Sequence, residues 1–211
     1  MNVLFCSLSD RPKLSDKIYE KLEEYCLYHN YDLVIEKQSL DKSRAPSWSK
    51  IPLLLRELKN NPKKDLIVWI DDDILITNKQ LKFHEIIQEY SFENILLSEE
   101  IVPPFNCGIL VCKNNQGTID YLNEIYKLGE NTKYIKSPNW EQQIMINHYH
   151  KMTANNSFQT IIKTIPYKVI QSFYRCDNKD WKLGDFSAHL TGMPMEKRLE
   201  YRDQILKEIS N

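Results

Sequence analysis

Three consecutive aspartates, Asp71, Asp72 and Asp73, interrupt the apolar run IVWIDDDILITN at residues 67–78. Adjacent carboxylates repel, and burying one without a partner is costly. The triplet is therefore either a solvated acidic turn or the seat of a cation. In an extended chain alternate side chains share a side, so Asp71 and Asp73 would face one ion while Asp72 points elsewhere, held by a backbone or basic group. Oxygen ligands of this kind suit a hard divalent ion such as Mg²⁺ or Mn²⁺.

Other residues could serve the same site. Lys50, in SWSK, falls on the first turn of an expected helix, where a cation opposes the helix dipole and calls for an anion nearby. Arg44 is a second cation in that stretch, and Trp48 fits either ring stacking or a core position. Arg11 and Lys13, in SLSDRPK, read as anion contacts or as solvated loop charges. Lys182, in WKLG, reads as an anion contact on a loop or as part of a surface turn. Glu141 and Gln142 open a helix, where a carboxylate also complements the dipole. Asp185, in LGDFSAH, is a further carboxylate candidate. His189 alone fits a partly buried imidazole as well as a ligand, but Gly192, three residues on, lets backbone approach a phosphate closely. Asn106, Cys107 and Gly108 begin a strand, and the Asn106 amide can both donate and accept hydrogen bonds.

These residues need elements to position them. NVLFCSL reads as an opening strand, followed by a helix that Ser15 can cap and in which Ile18, Leu22, Tyr25, Cys26 and His29 recur at helical spacing. YDLVIEK is a second strand. From Trp48 to Asn60, Ile51, Leu54, Leu55 and Leu58 mark a helix, with Pro52 tolerable only in its first turn. DLIVWID is a continuous apolar run, as expected of a central strand covered on both faces. Phe83, Ile86, Ile87 and Tyr90 mark a helix; NILLSE and CGILVCK read as strands. A helix from Thr118 to Leu128 ends at Gly129 as its C′ residue. NWEQQIMINHYH reads as a helix opening near Pro138 and Asn139. TIIKTIP and YKVIQSF read as strands, FSAHLTG as a short strand or loop, and Met195 to Ile209 as a closing amphipathic helix. Strands alternating with helices predict an α/β sandwich with a mostly parallel central sheet and a smaller mixed-sheet C-terminal part. In such sheets ligands bind at the carboxyl ends of the strands, which is where Asp71 to Asp73 fall.

The chain has 211 residues, enough for one domain with its own core. Lys and Arg number 28 against 29 Asp and Glu, so no overall basic field exists to hold nucleic acid or an anionic membrane. Five cysteines without CxxC spacing, three of them in apolar runs, point to a reducing compartment rather than to zinc or a disulfide framework. VLFCSL near the start lacks a basic flank and is too short to cross a membrane. A soluble, cytoplasmic protein is expected, so the NNS pattern at Asn155 carries little weight.

LIVWIDDDILIT resembles the Asp-x-Asp strand of GT-A glycosyltransferases. APSWSKIPLLLRELKNNPKKDLIVWIDDD is similar to the family 34 pattern of a Trp, a small residue, a Lys, an apolar helix and then WxDxD. FNCGILVCKNNQGTIDYLNEI resembles that family's Asn-x-Gly strand and following helix, WEQQIMI its acidic-Gln segment, and AHLTGMP its late His-x-x-Gly motif. These blocks stand in family order over most of residues 1–195, and they point to a small viral or microbial member. Three features depart from the family: no membrane anchor, a proline one position early in HLTGMP without flanking cysteines, and Trp140 where a second acidic residue usually stands.

The resemblance implies a single GT-A domain over residues 1–211. Residues 1–100 would bind the nucleotide, residues 101–195 the sugar and acceptor, and residues 195–210 form the closing helix. It implies that Asp71 and Asp73 hold the ion, with Asp71 also reaching the ribose, and that His189 completes the coordination. An imidazole among the ligands favours Mn²⁺ over Mg²⁺. Backbone of Cys6, Ser7 and Leu8 would line base and ribose. Arg11, Lys13, Lys50, Lys182 and Gly192 would serve the diphosphate, Asp72 would lie beside it, and Asn106 and Gly108 would meet the donor sugar under a loop shaped by Pro103 and Pro104. Glu141 and Gln142 would face that sugar, with Asp185 as a second carboxylate. The implied reaction is transfer from a UDP- or GDP-sugar, UDP favoured, to an oligosaccharide or glycoprotein acceptor, with retention of configuration. The chain also reads as one domain of a larger protein. Two other readings of the acidic strand stay open: a haloacid-dehalogenase-like phosphatase, although Leu75 stands where that motif has Thr or Val, and a non-catalytic sugar-nucleotide or glycan-binding module.

Overall fold

The computed structural model describes residues 1–100, 104–130, 135, 140–154, 161–176 and 179–210. Pro103, the helix opening at Pro138 and Asn139, and Asn155 lie outside the described residues.

The first strand, β1 (Val3–Leu8), leads into α1 (Pro12–His29), β2 (Asp32–Glu36), a 3₁₀ turn (Pro46–Ser49), α2 (Lys50–Asn60) and β3 (Leu66–Ile70). Then follow β4 (Ile74–Ile76), α3 (Phe83–Ile87), β5 (Ile95–Ser98), β6 (Asn106–Lys113) and α4 (Gln116–Leu128). The last third holds α5 (Trp140–Ala154), β7 (Ile162–Ile165), β8 (Ser172–Phe173), β9 (Ser187–His189) and α6 (Met195–Ile209).

Six strands form one sheet in the order β2-β1-β3-β6-β5-β7. β1 is parallel to β2 and β3, and β5 to β7, while β6 runs antiparallel to β3 and β5. Only β6 is reversed among these strands, so the sheet is mostly parallel, as the strand–helix alternation predicts. The chain steps from β1 to β2 on one side and then crosses to β3 on the other, which places a switch in strand order at the carboxyl ends of β1 and β3.

Side-chain alternation sends Val3, Phe5, Leu66, Val68 and Ile70 into a core shared with α1, α3, α6 and the smaller sheet. It sends Leu4, Cys6, Leu8, Ile67 and Trp69 into a core under α2, α4 and α5. Burial on both faces is why β3 is apolar at every position. Each large side chain fully buried there, Phe5 or Trp48 for example, contributes roughly 2–3 kcal/mol. The second sheet, β4-β9-β8, is mixed: β4 pairs antiparallel with β9, and β8 parallel with it.

Several local expectations are corrected. Helix α1 begins at Pro12, whose fixed φ suits a first turn, so Ser15 lies inside the helix and donates to Arg11 O at 3.2 Å instead of capping. Gly129 has φ −68°, not the left-handed conformation of a C′ glycine. Its lack of a side chain is needed for packing, since a Cβ there would sit 2.3 Å from the Trp48 ring. YKVIQSF forms a strand only at Ser172–Phe173, because residues 167–170 turn, with Val169 N donating to Pro166 O at 3.1 Å. The cysteines are free thiols, all buried except Cys176. No helix among the described residues is long and apolar enough to cross a membrane.

Candidate functional site

The main chain leaves β3 at Ile70 and enters β4 at Ile74, so the three aspartates form the hinge between the two sheets. Asp71 N donates to Gly108 O at 2.8 Å, which fixes the start of that hinge against β6. Its end is fixed by β9: Ile74 pairs with His189, and Leu190 N donates to Asp73 O at 2.9 Å. That register, set by a strand more than a hundred residues away, brings an imidazole beside the acidic pair.

Ligand atoms of Asp71, Asp73 and His189 all lie within 4.8 Å of one another. Opposite ligands of a hard divalent ion with bonds of roughly 2.1 Å lie about 4.2 Å apart, so a small inward movement closes the set. His189 is buried, its Nε2 lies 3.3 Å from Asp73 Oδ1, and its Nδ1 is buried without a hydrogen-bond partner among the described residues. A buried imidazole with Nε2 beside Asp73, clustered with Asp71, offers a mixed nitrogen and oxygen set that fits a divalent ion.

Each aspartate has a different neighbourhood. Asp71 Oδ1 accepts from Trp69 Nε1 at 2.5 Å and lies 3.2 Å from Lys50 Nζ. Asp72 turns away to a bidentate pair with Arg11, whose Nε donates at 3.0 Å, and accepts from Ser9 Oγ at 2.5 Å. Burial nevertheless pushes the Asp72 carboxyl above its ordinary range. Burial acts the same way on Asp73. There it is outweighed by His189 and by Arg198, whose Nη1 lies 2.8 Å from Asp73 Oδ2, and the carboxyl is held at about 2.

Lys50 ties the hinge to α5. It is buried, and its Nζ donates to Cys107 O at 2.7 Å and to Glu141 Oε1 at 2.8 Å, besides the contact with Asp71. Burial disfavours its charge, but Asp71 and Glu141 outweigh that and raise its pKa. Glu141 is itself buried, and its second oxygen, Oε2, has no partner among the described residues. Gln142 Oε1 accepts from Cys107 N at 2.9 Å, which docks the start of α5 on β6.

Asp71, Asp72, Asp73, His189, Lys50, Glu141, Gln142, Asn106, Arg11 and Gly192 line one cavity of roughly 840 Å³. Leu8 also lines it, with Ser9 and Asp10, but Cys6 and Ser7 do not. Cys6 is paired in the sheet between Val34 and Trp69, and Ser7 Oγ donates to Ile70 O at 2.6 Å, so the chain reaches the cavity two residues later than expected. Lys13 is exposed on α1 and does not line the cavity; its carbonyl accepts from Arg202 Nη1 at 2.6 Å. Lys182 and Asp185 do not line it either: Lys182 N donates to Asp185 Oδ2 at 3.0 Å, closing a turn with Gly184 at φ +104°. Arg44 is held by Asp41 at 3.1 Å and lies over the Trp48 and Tyr126 rings, so Trp48 is a core residue. Gly108 does not line the cavity but allows His189 to approach, since a Cβ there would sit 2.6 Å from His189 Cε1. Gly192 takes φ +69°, a conformation suited to glycine.

Arg198, Glu100, Arg175 and Trp140 are among the cavity residues not expected from the sequence. Arg198 and Glu100 look like ordinary surface charges in their segments, and Arg175 sits in a stretch without pattern. Trp140 stands out only by interrupting an acidic motif. It is exposed, lines the cavity and takes φ +41°, which is unusual for a bulky residue.

A profile of the galactosyl transferase GMA12/MNN10 family matches residues 5–106, which include Arg11, Lys50 and the aspartates but not Glu141 or His189. Galactomannan galactosyltransferase 1 of Cyamopsis tetragonoloba is 20% identical over 174 residues, 79% of this chain and 38% of the relative. The chain thus spans well under half the length of that relative. Among solved structures, a glycosyltransferase involved in the glycosylation of the major capsid of PBCV-1 superposes with a TM-score of 0.75 at 16% identity, covering 97% of this chain and 100% of that one. The galactosyltransferase LgtC in complex with donor and acceptor sugar analogs superposes with a TM-score of 0.56 at 9% identity, covering 100% and 97%. Likeness at such identities speaks to the fold.

Proposed function

We propose that this chain, a family 34-like GT-A glycosyltransferase by fold and sequence resemblance, moves a sugar from a nucleoside-diphosphate donor to a glycan acceptor. A UDP-sugar is the favoured donor, Mn²⁺ the favoured ion, and retention the favoured outcome. The observation that carries this reading is the Asp71, Asp73 and His189 cluster sharing one cavity with Glu141, whose Oε2 is buried and unpartnered.

Asp71, Asp73 and His189 would hold a divalent ion, which would supply positive charge to a departing diphosphate. The bond between the anomeric carbon and the β-phosphate oxygen breaks with its electron pair going to the diphosphate. The acceptor hydroxyl oxygen bonds to that carbon and passes its proton to an oxygen of the departing diphosphate. The carbon carries positive character between these events, and a carboxylate such as Glu141 stabilises it from within a low-dielectric site. Lys50 fixes the position of the Glu141 carboxylate. Arg11 anchors Asp72, which leaves Asp71 and Asp73 free to face the ion. A capsid glycosyltransferase of similar size and fold supports a glycan or glycoprotein acceptor, and a galactosyltransferase relative supports a hexose donor.

The test is nucleotide release with Mn²⁺ across a panel of UDP- and GDP-sugars, beside thermal shift with UDP and GDP with and without Mn²⁺. Release from one donor, and a nucleotide shift that needs Mn²⁺ and vanishes in Asp73→Ala, are expected. No metal-dependent nucleotide effect, or one unchanged in Asp73→Ala, overturns the proposal. Binding without any release marks a non-catalytic module instead.

A further inference from the structure

Asn106 is expected to read the sugar, yet its polar atoms are largely engaged. Its Oδ1 accepts from Gly108 N at 2.8 Å and from Gln171 Nε2 at 3.2 Å, and its Nδ2 donates to Glu100 Oε2 at 2.7 Å. An amide offers two acceptor sites and two donor hydrogens, so one hydrogen remains. Asn106 therefore acts chiefly as a support for Glu100.

Glu100 lines the cavity and is paired with Arg175, whose Nη2 donates to Glu100 Oε1 at 2.5 Å. Arg175 also lines the cavity, and its guanidinium lies over the Phe173 ring, 4.7 Å from the centroid. The Glu100 and Arg175 side chains are only 11% and 25% exposed, so holding both charges there is costly unless their remaining capacity is met. It is not met among the described residues. Arg175 Nε is buried without a partner among the described residues, as is Oε1 of the fully buried Gln171 behind Asn106. A carboxylate with two of its roughly four acceptor sites filled, beside a guanidinium with free hydrogens, suits a ligand that both donates and accepts.

Sugar hydroxyls do both, and they are neutral. A phosphate would be repelled by Glu100. The cluster is continuous with Gly108, which abuts His189, so it flanks the end of the cavity where the acidic pair lies. We propose that Glu100 and Arg175 read the hydroxyls of the transferred sugar and set which sugar donor the chain accepts. This rests on the transferase reading above.

The experiment compares wild type, Glu100→Gln and Arg175→Lys for nucleotide release with Mn²⁺ from UDP-glucose, UDP-galactose, UDP-xylose and GDP-mannose. Calorimetry with UDP and GDP is run in parallel. Unpaired polar groups in a hydroxyl-reading site lower kcat/KM steeply, so a loss of about 100-fold is expected for the preferred donor. The ratio between the two best donors should fall by about tenfold or more, while affinity for the free nucleotide changes less than about threefold. An unchanged donor ratio in both variants overturns the proposal. So does an equal loss of free-nucleotide affinity, which indicates packing alone. If the wild type releases nucleotide from no donor, the transferase reading itself falls, and this proposal with it.

Discussion

Lys50, on the first turn of α2, donates to Glu141 Oε1, on the first turn of α5, at 2.8 Å, and both side chains are almost fully buried. The same ammonium lies 3.2 Å from Asp71 Oδ1. A cation at a helix start is unfavourable by itself. Here two carboxylates and the Cys107 carbonyl compensate it, and one side chain locks the aspartate hinge to the helix that carries Glu141.

Replacing Lys50 with Met leaves two carboxylates without their shared cation. Removing one partner of a buried pair costs about 3–5 kcal/mol, which corresponds to a Tm lower by roughly 10 °C in a chain of this size. The folded-state pKa of Lys50 is raised, so its stabilisation is complete below the unfolded value of about 10.4 and is lost only as pH rises through the higher folded value. Urea unfolding should therefore give a constant gap between wild type and Lys50→Met from pH 6 to pH 10. A gap under about 1 kcal/mol contradicts the pairing.

Glu141→Gln separates binding from chemistry. The amide oxygen still accepts from Lys50, so the fold and the nucleotide affinity should be retained. The charge facing the reacting sugar is lost, and kcat should fall by about 10²–10³. Steady-state kinetics beside calorimetry with UDP measures both, and a kcat within tenfold of wild type removes Glu141 from the chemistry.

The clustering of Asp71 and Asp73 at the end of β3 is legible in the sequence because carboxylates ending a continuous apolar strand have few physical solutions. The mostly parallel sheet is legible because strands and helices alternate. His189 is placed by an antiparallel ladder with Ile74, and no local pattern encodes the register of strands so far apart. The cavity edge falls two residues late because the end of a strand is not fixed by its apolar run: Cys6 and Ser7 stay in the ladder, and Ser9 to Arg11 reach the cavity. Lys182 and Asp185 show the opposite failure. Charges in a short loop look alike whether they face a ligand or close a turn, and here Lys182 N to Asp185 Oδ2 closes one. Arg198 is hidden because an arginine on the polar face of an amphipathic helix is unremarkable until the helix docks beside Asp73.

Gly108→Ala tests how the imidazole is held. A Cβ would meet His189 Cε1 at 2.6 Å, Asn106 Oδ1 at 2.8 Å and Ile74 Cδ1 at 2.9 Å, and all three neighbours are buried. Overpacking of this kind costs about 1–3 kcal/mol. Displacing His189 should also weaken Mn²⁺ binding by about tenfold or more, by analogy with the loss of partners that orient metal ligands. Thermal melts and a Mn²⁺ titration followed by electron paramagnetic resonance check the two effects, and unchanged Mn²⁺ affinity argues that His189 is not a ligand.

Asp73 gives the acid limb of stability in chelator-treated protein. Burial raises its carboxyl, but His189, Arg198 and Arg11 outweigh burial and hold it at about 2, against 3.8 for a free aspartate. A depressed folded pKa means the stabilisation is present above the unfolded value and lost as pH falls through the folded one. The difference amounts to about 2–3 kcal/mol at pH 7, about half of it remaining at pH 3 and little at pH 2. Asp73→Asn has no such titration. Its urea stability with EDTA should therefore lie below wild type at pH 7, and the two should converge between pH 4 and pH 2. A gap that does not narrow over that window shows that the carboxylate is not held by His189 and Arg198 in solution.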